Sequence, residues 1–227
     1  MATEYTYDLN TILRDTIPQL PGVVRAVAER ELRQTIREFF ERTYAWRTVI
    51  EGVDAPAGDT PRLLSDANDG DTNSDVIGIL RIVYNGVVLS PLPFKVNRVE
   101  TGDLPTNFYM TSNPDEFKLH PQLQNASTGL MDIHVALTPK DSLDLTTFPR
   151  QIGTKFYDAI IEGFLARMYM HPNKPYSQPA LGSQMRHNFR RRMGYYMSQA
   201  KAGYNDAASW GYPRGWSPRR PGMRNGA

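Results

Sequence analysis

The chain has 227 residues, of which 40% are hydrophobic and 22% are charged, so it can bury a sizeable core in one or two domains. It contains no cysteine, which excludes a disulfide framework and any cysteine-based nucleophile or metal site. The net charge of +2 hides a strong polarity: residues 181–227 hold nine Lys and Arg against one acidic residue, whereas residues 1–180 hold 17 basic and 23 acidic residues. One end of the molecule is therefore predicted to contact a partner.

Targeting and membrane signals are not evident along the chain. The first residues lack the basic and apolar regions of a secretory signal. No apolar run approaches the roughly 18 residues that a membrane span needs. We therefore expect a soluble protein without membrane contact, and the absence of cysteine suits a reducing cytoplasm or a particle assembled there.

The N-terminal part predicts two helices. Asp8 suits an N-cap for a short helix that must end before Pro18. A longer amphipathic helix follows and runs to about Trp46. Its apolar face is predicted from residues spaced three and four apart, namely Ala28, Leu32, Thr35, Ile36, Phe39, Phe40 and Thr43.

The middle of the chain predicts a loop and then strands. Residues 51–74 are rich in Asp, Gly, Pro and Thr, which favours a loop. Residues 76–84 and 87–89 flank Asn85-Gly86, a pair that favours a type I′ turn, so a hairpin is expected there. Strict alternation over residues 131–137 predicts a strand with one buried face. Weaker strands are predicted at 94–99 and 108–111.

The C-terminal part predicts two further helices and an arm. One helix should follow Phe148-Pro149, with Pro149 in its first turn, and end before Pro172. After a Pro-rich connector, the last helix carries an apolar stripe from Leu181 to Ala200 and stops near Gly203. Beyond residue 204 the chain is rich in Gly, Pro, Arg, Trp and Tyr, which indicates an arm that orders only on binding.

These elements predict an α+β fold. We expect a helical bundle of two N-terminal and two C-terminal helices, an inserted antiparallel β unit and an extended basic C-terminal arm. The corresponding divisions are residues 1–50 and 148–204 for the bundle, 51–147 for the inserted β domain and 205–227 for the arm.

No constellation for catalysis, cofactor binding or metal binding stands out. The four histidines lack zinc-helix spacing, and neither a nucleophile elbow nor a phosphate-binding glycine loop is present. The acidic stretch 66–75 fails the register of a calcium loop, because Gly70 falls at position 5 and Ile77 at position 12. Asp141 and Asp144 are close enough in sequence to be considered as paired catalytic carboxylates, but helix and turn capping explains them. We therefore expect a non-enzymatic protein without cofactor or metal, and a glycan hydrolase is the weakest alternative.

The basic end is the strongest functional signal. Arginines close together on one helix repel one another, which indicates an acidic or phosphate-bearing partner, and a solvated basic face is the equal alternative. Aromatic and Arg residues in the arm are typical interface anchors, and they also suit the stacking and neutralisation of nucleic acid. The candidate docking residues are Arg186, Arg190, Arg191, Arg192, Trp210, Tyr212, Arg214, Trp216, Arg219 and Arg220. Binding of nucleic acid by this same end remains the alternative function.

Four passages together resemble the head–tail adaptor (connector) proteins of tailed bacteriophages. They cover most of the chain from Leu9 to Gly203 in order, but their motifs are degenerate. The passages are residues 38–47 (EFFERTYAWR), 82–89 (IVYNGVVL), 158–169 (DAIIEGFLARMY) and 173–181 (NKPYSQPAL), the last leading into Phe189 and residues 200–203.

The resemblance implies a structural virion protein at the head–tail junction. Such proteins form a ring, commonly a dodecamer, beneath the portal protein, and the ring continues the DNA channel toward a tail or nozzle protein. Double-stranded DNA would pass through without specific binding, and the C-terminal helix and arm would dock on the portal. The large β unit and the aromatic arm depart from the shortest connectors of long-tailed phages, which favours a short-tailed phage.

Overall fold

The computed structural model of the protein describes residues 5–63, 73–92, 100–111, 116–140 and 147–201. Its α-helices are numbered here in chain order. Within these residues they are α1 (Leu9–Thr16), α2 (Arg25–Thr43), α3 (Gln151–Thr154), α4 (Tyr157–Tyr169) and α5 (Pro179–Lys201), with a 3-10 turn at Ile17–Gln19.

The two N-terminal helices confirm the sequence prediction. The Asp8 carboxylate accepts a hydrogen bond of 2.9 Å from the backbone N–H of Asn10, so Asp8 is the N-cap of α1. Helix α1 ends before Pro18, as expected. The buried face of α2 contains every residue of the predicted stripe, together with Glu31. This helix ends at Thr43, because Tyr44 adopts a left-handed φ of 51°.

The strands form one large sheet and two small pairs. In chain order they are β1 (Tyr5–Asp8), β2 (Arg47–Ala55), β3 (Arg62–Leu63), β4 (Ser74–Tyr84), β5 (Val87–Pro91), β6 (Thr101–Gly102), β7 (Asn107–Met110), β8 (Glu116–His120), β9 (Gln122–Leu123), β10 (Ser127–Pro139) and β11 (Thr147–Pro149). The large sheet has the order β2-β10-β4-β5-β7-β8-β3, and β1-β11 and β6-β9 are separate pairs.

Strand β10 organises the sheet. It spans 13 residues and pairs antiparallel with both β2 and β4. The predicted strand at 131–137 lies inside it, and Met131, Ile133, Val135 and Leu137 are buried as the alternation requires. Strands β5 and β7 run parallel, so the sheet is mixed.

The helices and the sheet share one hydrophobic core. On the helical side, Phe39, Phe156, Phe189 and Tyr196 pack with ring centroids between 5.0 and 6.4 Å apart. Trp46 precedes β2 and contacts Phe40 at 5.7 Å. The buried side chains of β10 belong to the same cluster. The sheet is thereby fixed against the helices through one continuous apolar interior.

The predicted fold class is wrong in its balance of helix and sheet. A helical bundle with a small antiparallel β insertion was expected, whereas a mixed sheet dominates and two short pairs accompany it. Residues 51–74 were predicted as a loop, but β2 continues to Ala55 and β3 lies at Arg62–Leu63. Strand β2 contains Gly52 and Asp54, which have weak strand propensity, and its ladder with β10 overrides that local preference.

The predicted helix after Phe148 also differs from the structure. Pro149 ends strand β11 rather than opening a helix, and it pairs with Tyr5. Beyond it the helical stretch divides into α3 and α4. Ile152, Phe156 and Ile160 nevertheless remain buried, as the stripe predicted. The one helix that was predicted here is therefore two helices, α3 and α4. Residues 147–149 stay extended because β11 pairs with the N-terminal strand β1.

Some predictions lie outside the described residues. These are the strand at 94–99, most of the acidic stretch 66–75, Asp141 and Asp144, the stop at Gly203 and the whole C-terminal arm. The division into domains stays a prediction.

The turn between β4 and β5 gives a test of backbone conformation alone. Asn85 and Gly86 have φ values of 47° and 78°, as a type I′ turn requires, and a Cβ at Gly86 would meet no atom within 4 Å. We expect Gly86→Ala to lower the free energy of unfolding by about 1 kcal/mol, because L-residues are strained at this φ. Urea unfolding would measure the change.

The matched control is Gly194→Ala on α5, where a Cβ would also meet nothing within 4 Å. Because Gly194 is helical, we expect this substitution to raise stability by about 0.5–1 kcal/mol. Equal effects of the two substitutions would contradict the assignment of the turn.

Candidate partner-binding cleft

Helix α5 is held to the core by one apolar face. Pro179 begins it, and Gly182, Phe189, Met193 and Ala200 are its buried residues. Gly182 allows α5 to approach α4 closely, since a Cβ there would lie 2.9 Å from Met170 Cγ and 3.3 Å from the carbonyl oxygen of Ala166. The predicted stripe from Leu181 to Ala200 is thus the face that fixes the basic helix to the fold.

Arg192 has acidic partners within the chain. Its Nε lies 2.7 Å from Glu162 Oε2, and its Nη1 lies 3.7 Å from Asp158 Oδ2. The hydrogen bond to Glu162 raises the pKa of the Arg192 guanidinium above its ordinary value, and the two acidic charges add to that effect. This arginine therefore joins α5 to α4.

Arg186 and Arg190 lie on the rim of a cleft between three helices. The cleft has a volume of about 140 Å³. Its lining comes from α2, α4 and α5 and consists of Glu38, Gly163, Ala166, Arg167, Arg186, Phe189 and Arg190. Both rim arginines are exposed, whereas Phe189 is only 4% exposed and contributes an apolar floor.

Arg167 also lines the cleft, but its charge is already compensated. It lies 2.7 Å from Glu38 and 3.5 Å from Glu31, and it donates a 3.2 Å hydrogen bond to Gln34. The side chain of Glu31 is only 9% exposed and also meets Arg30 at 3.1 Å. A buried carboxylate of this kind needs its cationic partners. Arg167 thus neutralises acidic groups of α2 and leaves little charge for a ligand.

The remaining predicted docking residues fall into two groups. Arg191 is exposed on α5 and does not line the cleft. Arg186, Arg190 and Arg191 make no ion pair with another residue in the described ranges. The arm residues Trp210, Tyr212, Arg214, Trp216, Arg219 and Arg220 lie outside these ranges. The structure therefore brings Arg186 and Arg190 together and separates Arg192 from them.

A second polar contact lies at the junction of α1 and α4. The Tyr157 hydroxyl donates a 2.5 Å hydrogen bond to Asp15 Oδ2. This bond lowers the pKa of the Asp15 carboxyl, while desolvation together with Asp15 raises the pKa of the Tyr157 hydroxyl. A tyrosine with a raised pKa stays protonated near neutrality. The contact therefore suits a structural link between helices rather than a proton-transfer site.

Neither a metal site nor a membrane-spanning helix is found among the described residues. No group of three or more His, Asp or Glu side chains is arranged to hold a metal ion in this part of the chain. Among the helices that the structure describes, none is long and apolar enough to cross a membrane.

Sequence reasoning missed Glu38 and Arg167 as parts of the cleft. Glu38 looked like one of several charges on the solvent face of α2, where it also pairs with Arg42 at 3.3 Å. The local signal was Gly163, which lies with the small residues Ala159 and Ala166 on the buried face of α4. Small residues mark close helix contacts, but they do not indicate which charges will lie beside them.

Comparison with known proteins gives no relative for this chain. No family model matches it, and no curated protein matches it. Function must therefore be inferred from the charge distribution and the cleft.

Proposed function

We propose that this chain is a non-enzymatic virion protein of a short-tailed bacteriophage. It forms an oligomeric ring at the head–tail junction that joins the portal protein to a tail or nozzle protein. The ring continues the DNA channel, and the C-terminal helix and arm dock on the portal. The observation that carries the proposal is the placement of Arg186 and Arg190, both exposed on a helix whose other face is locked into the core.

Charge distribution supports a docking role for this end of the chain. Arg192 and Arg167 are compensated by Glu162, Glu38 and Glu31, whereas the two rim arginines make no ion pair with a residue that the structure describes. Helix α5 ends at Lys201, and the aromatic and basic residues of the arm follow it in the sequence. The C-terminal part of the sequence thus combines Arg with Trp, which are frequent hot-spot residues of interfaces.

Ring assembly would make such a contact strong even if each copy binds weakly. Copies joined in one ring present many docking elements at once, and the effective concentration of each is then high. The remainder of the chain carries more acidic than basic residues, which suits a channel wall because negative charge limits adhesion of passing DNA.

The test mixes the purified full chain with the portal protein of the same phage and examines the particles by cryo-electron microscopy. We expect rings seated on the portal. Deletion of residues 204–227 should abolish docking while circular dichroism and the urea midpoint of the body stay unchanged. A chain that remains monomeric and never joins portal particles would refute the proposal.

Nucleic-acid binding is the second candidate, and the cationic end favours it. This function predicts an affinity for DNA that falls steeply with salt: the logarithm of the binding constant should fall with the logarithm of the salt concentration, with a slope of about 0.7–0.9 per phosphate contacted. Glu38, Asp158 and Glu162 weigh against it, because they pair with Arg167 and Arg192 and so reduce the number of cations that are free to bind a phosphate backbone. DNA titration at several salt concentrations distinguishes the two candidates.

A further inference from the structure

We propose that the cleft between α2, α4 and α5 binds an acidic peptide segment, with a carboxylate held by Arg186 and Arg190 and a small apolar side chain seated against Phe189. The inference rests on the proposed function in one respect, namely that the segment belongs to the docking partner. It goes further in stating the chemistry of that partner and the residues of this chain that bind it.

The first step is the distribution of uncompensated charge. Four arginines lie on α5 and one on α4, but Arg192 and Arg167 each have a carboxylate within 2.7 Å. Arg186 and Arg190 line the cleft, are exposed, and make no ion pair with any residue that the structure describes. Two positive charges at one rim form a site that a carboxylate ligand would complement.

The second step is the spacing of these two arginines. They lie four residues apart on one helix, so their Cβ atoms are about 5–6 Å apart on the same side. Two guanidinium groups at that separation can direct N–H donors at one carboxylate, and each guanidinium can bind it through two parallel bonds. Arg191 follows Arg190 immediately and therefore projects about 100° away around the helix.

The third step is the size and polarity of the cleft. Its volume of about 140 Å³ lies well below the roughly 300–1,000 Å³ of common small-molecule pockets. Gly163 and Ala166 are the small residues of its α4 wall, and the 4% of Phe189 that is exposed gives it a narrow apolar edge. A short acidic side chain next to a small apolar one fits this combination better than a large cofactor does.

The fourth step distinguishes a peptide from a nucleic acid. A phosphate backbone needs a continuous basic track, but Glu38 lines the cleft and pairs with both Arg167 and Arg42. On α4, Glu162 and Asp158 pair with Arg192, so this cation is not free for a phosphate either. The two remaining arginines of the cleft are enough for a carboxylate but too few for a run of phosphates.

The experiment uses the full chain, labelled with nitrogen-15, and a synthetic peptide acetyl-Gly-Asp-Glu-Leu-Asp-Gly-amide. In NMR titrations we expect the Nε–Hε signals of Arg186 and Arg190 to shift with the peptide, and that of Arg191 to shift little. The same peptide with Asn and Gln in place of Asp and Glu should not produce these shifts. Equal shifts with the amide peptide would overturn the proposal.

Variants then localise the binding. The double substitution Arg186→Glu with Arg190→Glu should weaken peptide binding about tenfold or more, and Arg191→Glu, the matched control on the same helix, should change it less than about twofold. Because the basic arm is present in every variant, a peptide bound only by the arm would leave the double variant unaffected and refute the cleft. Unchanged urea midpoints would show that the exposed substitutions leave the fold intact.

Two further measurements separate this inference from the proposed function. A short single-stranded DNA that shifts Arg186 and Arg190 more strongly than the peptide, with steep salt dependence, would overturn the peptide assignment. The portal particle assay with the double variant tests whether the cleft is the contact between the ring and the portal. If peptide binding is lost while the ring still docks, the acidic segment is not the portal contact, but the adaptor function stands.

Discussion

Replacement of Phe39 by Ala is expected to lower the free energy of unfolding by about 3–5 kcal/mol. Phe39 is fully buried on α2 and lies at the centre of the aromatic cluster. Its ring centroid is 5.5 Å from that of Phe40, 5.0 Å from Phe156, 6.4 Å from Phe189 and 5.8 Å from Tyr196. Truncation removes buried apolar area and edge-to-face contacts, and it leaves a cavity that three helices cannot close.

Urea unfolding measures this loss as a lower midpoint at an unchanged slope. The matched control is Tyr195→Ala on α5, because Tyr195 is 58% exposed and its ring lies at the edge of the cluster, 5.3 Å from that of Tyr196. We expect the control to cost less than about 1 kcal/mol. A similar loss for both substitutions would show that the aromatic cluster is not the centre of the core.

The two N-terminal helices followed from the sequence because their signals are local, whereas the single helix predicted after Phe148 is two helices that follow a strand. The cap at Asp8 and the spacing of apolar residues in α2 act within one or two turns, and the structure confirms both. The turn at Asn85-Gly86 was likewise predictable, since its positive φ values restrict residue choice at two adjacent positions.

The sheet was less predictable because strand formation depends on distant partners. Strand β2 includes Glu51, Gly52 and Asp54, which read locally as a loop, yet it pairs with β10 roughly 80 residues later. Hydrogen bonds outside the ladder reinforce the pairing: the Asp132 carboxylate accepts from the N–H of Gly52, and the Asp54 carboxylate accepts from that of Gly129. Residues that favour loops in isolation thereby become part of a strand.

The cleft shows the same limit. The spacing of arginines on α5 placed all four near the apolar stripe, but it could not separate Arg192 from Arg186 and Arg190. That distinction depends on Glu162 from α4, which compensates one arginine, and on Glu38 from α2, which is occupied by Arg167. Which carboxylate pairs with which arginine depends on how the helices pack. Sequence patterns therefore predicted the basic helix but not which of its arginines lack an acidic partner.

Gly163 connects the packing of the helices with the cleft, and Gly163→Ala is expected to lower the free energy of unfolding by about 1–2 kcal/mol. A Cβ at this position would lie 2.7 Å from Thr35 Cγ2 and 2.8 Å from Phe189 Cε2. Neither neighbour can give way easily, since Thr35 donates a 2.8 Å hydrogen bond to the Glu31 carbonyl and Phe189 is buried. Overpacking should therefore outweigh the gain of about 1 kcal/mol that Ala normally brings to a helix.

A double-mutant cycle with Thr35→Ser tests this mechanism. Serine keeps the hydroxyl and removes Cγ2, so it opens space for the new methyl group, and the loss in the double mutant should be smaller than the sum of the single losses. Urea midpoints of the four proteins give the coupling free energy. Strict additivity, or stabilisation like that expected for Gly194→Ala, would mean that α2 and α5 do not close over Gly163. Because Gly163 and Phe189 both line the cleft, displacement of the Phe189 ring should change the helix packing and the cleft together in this one substitution.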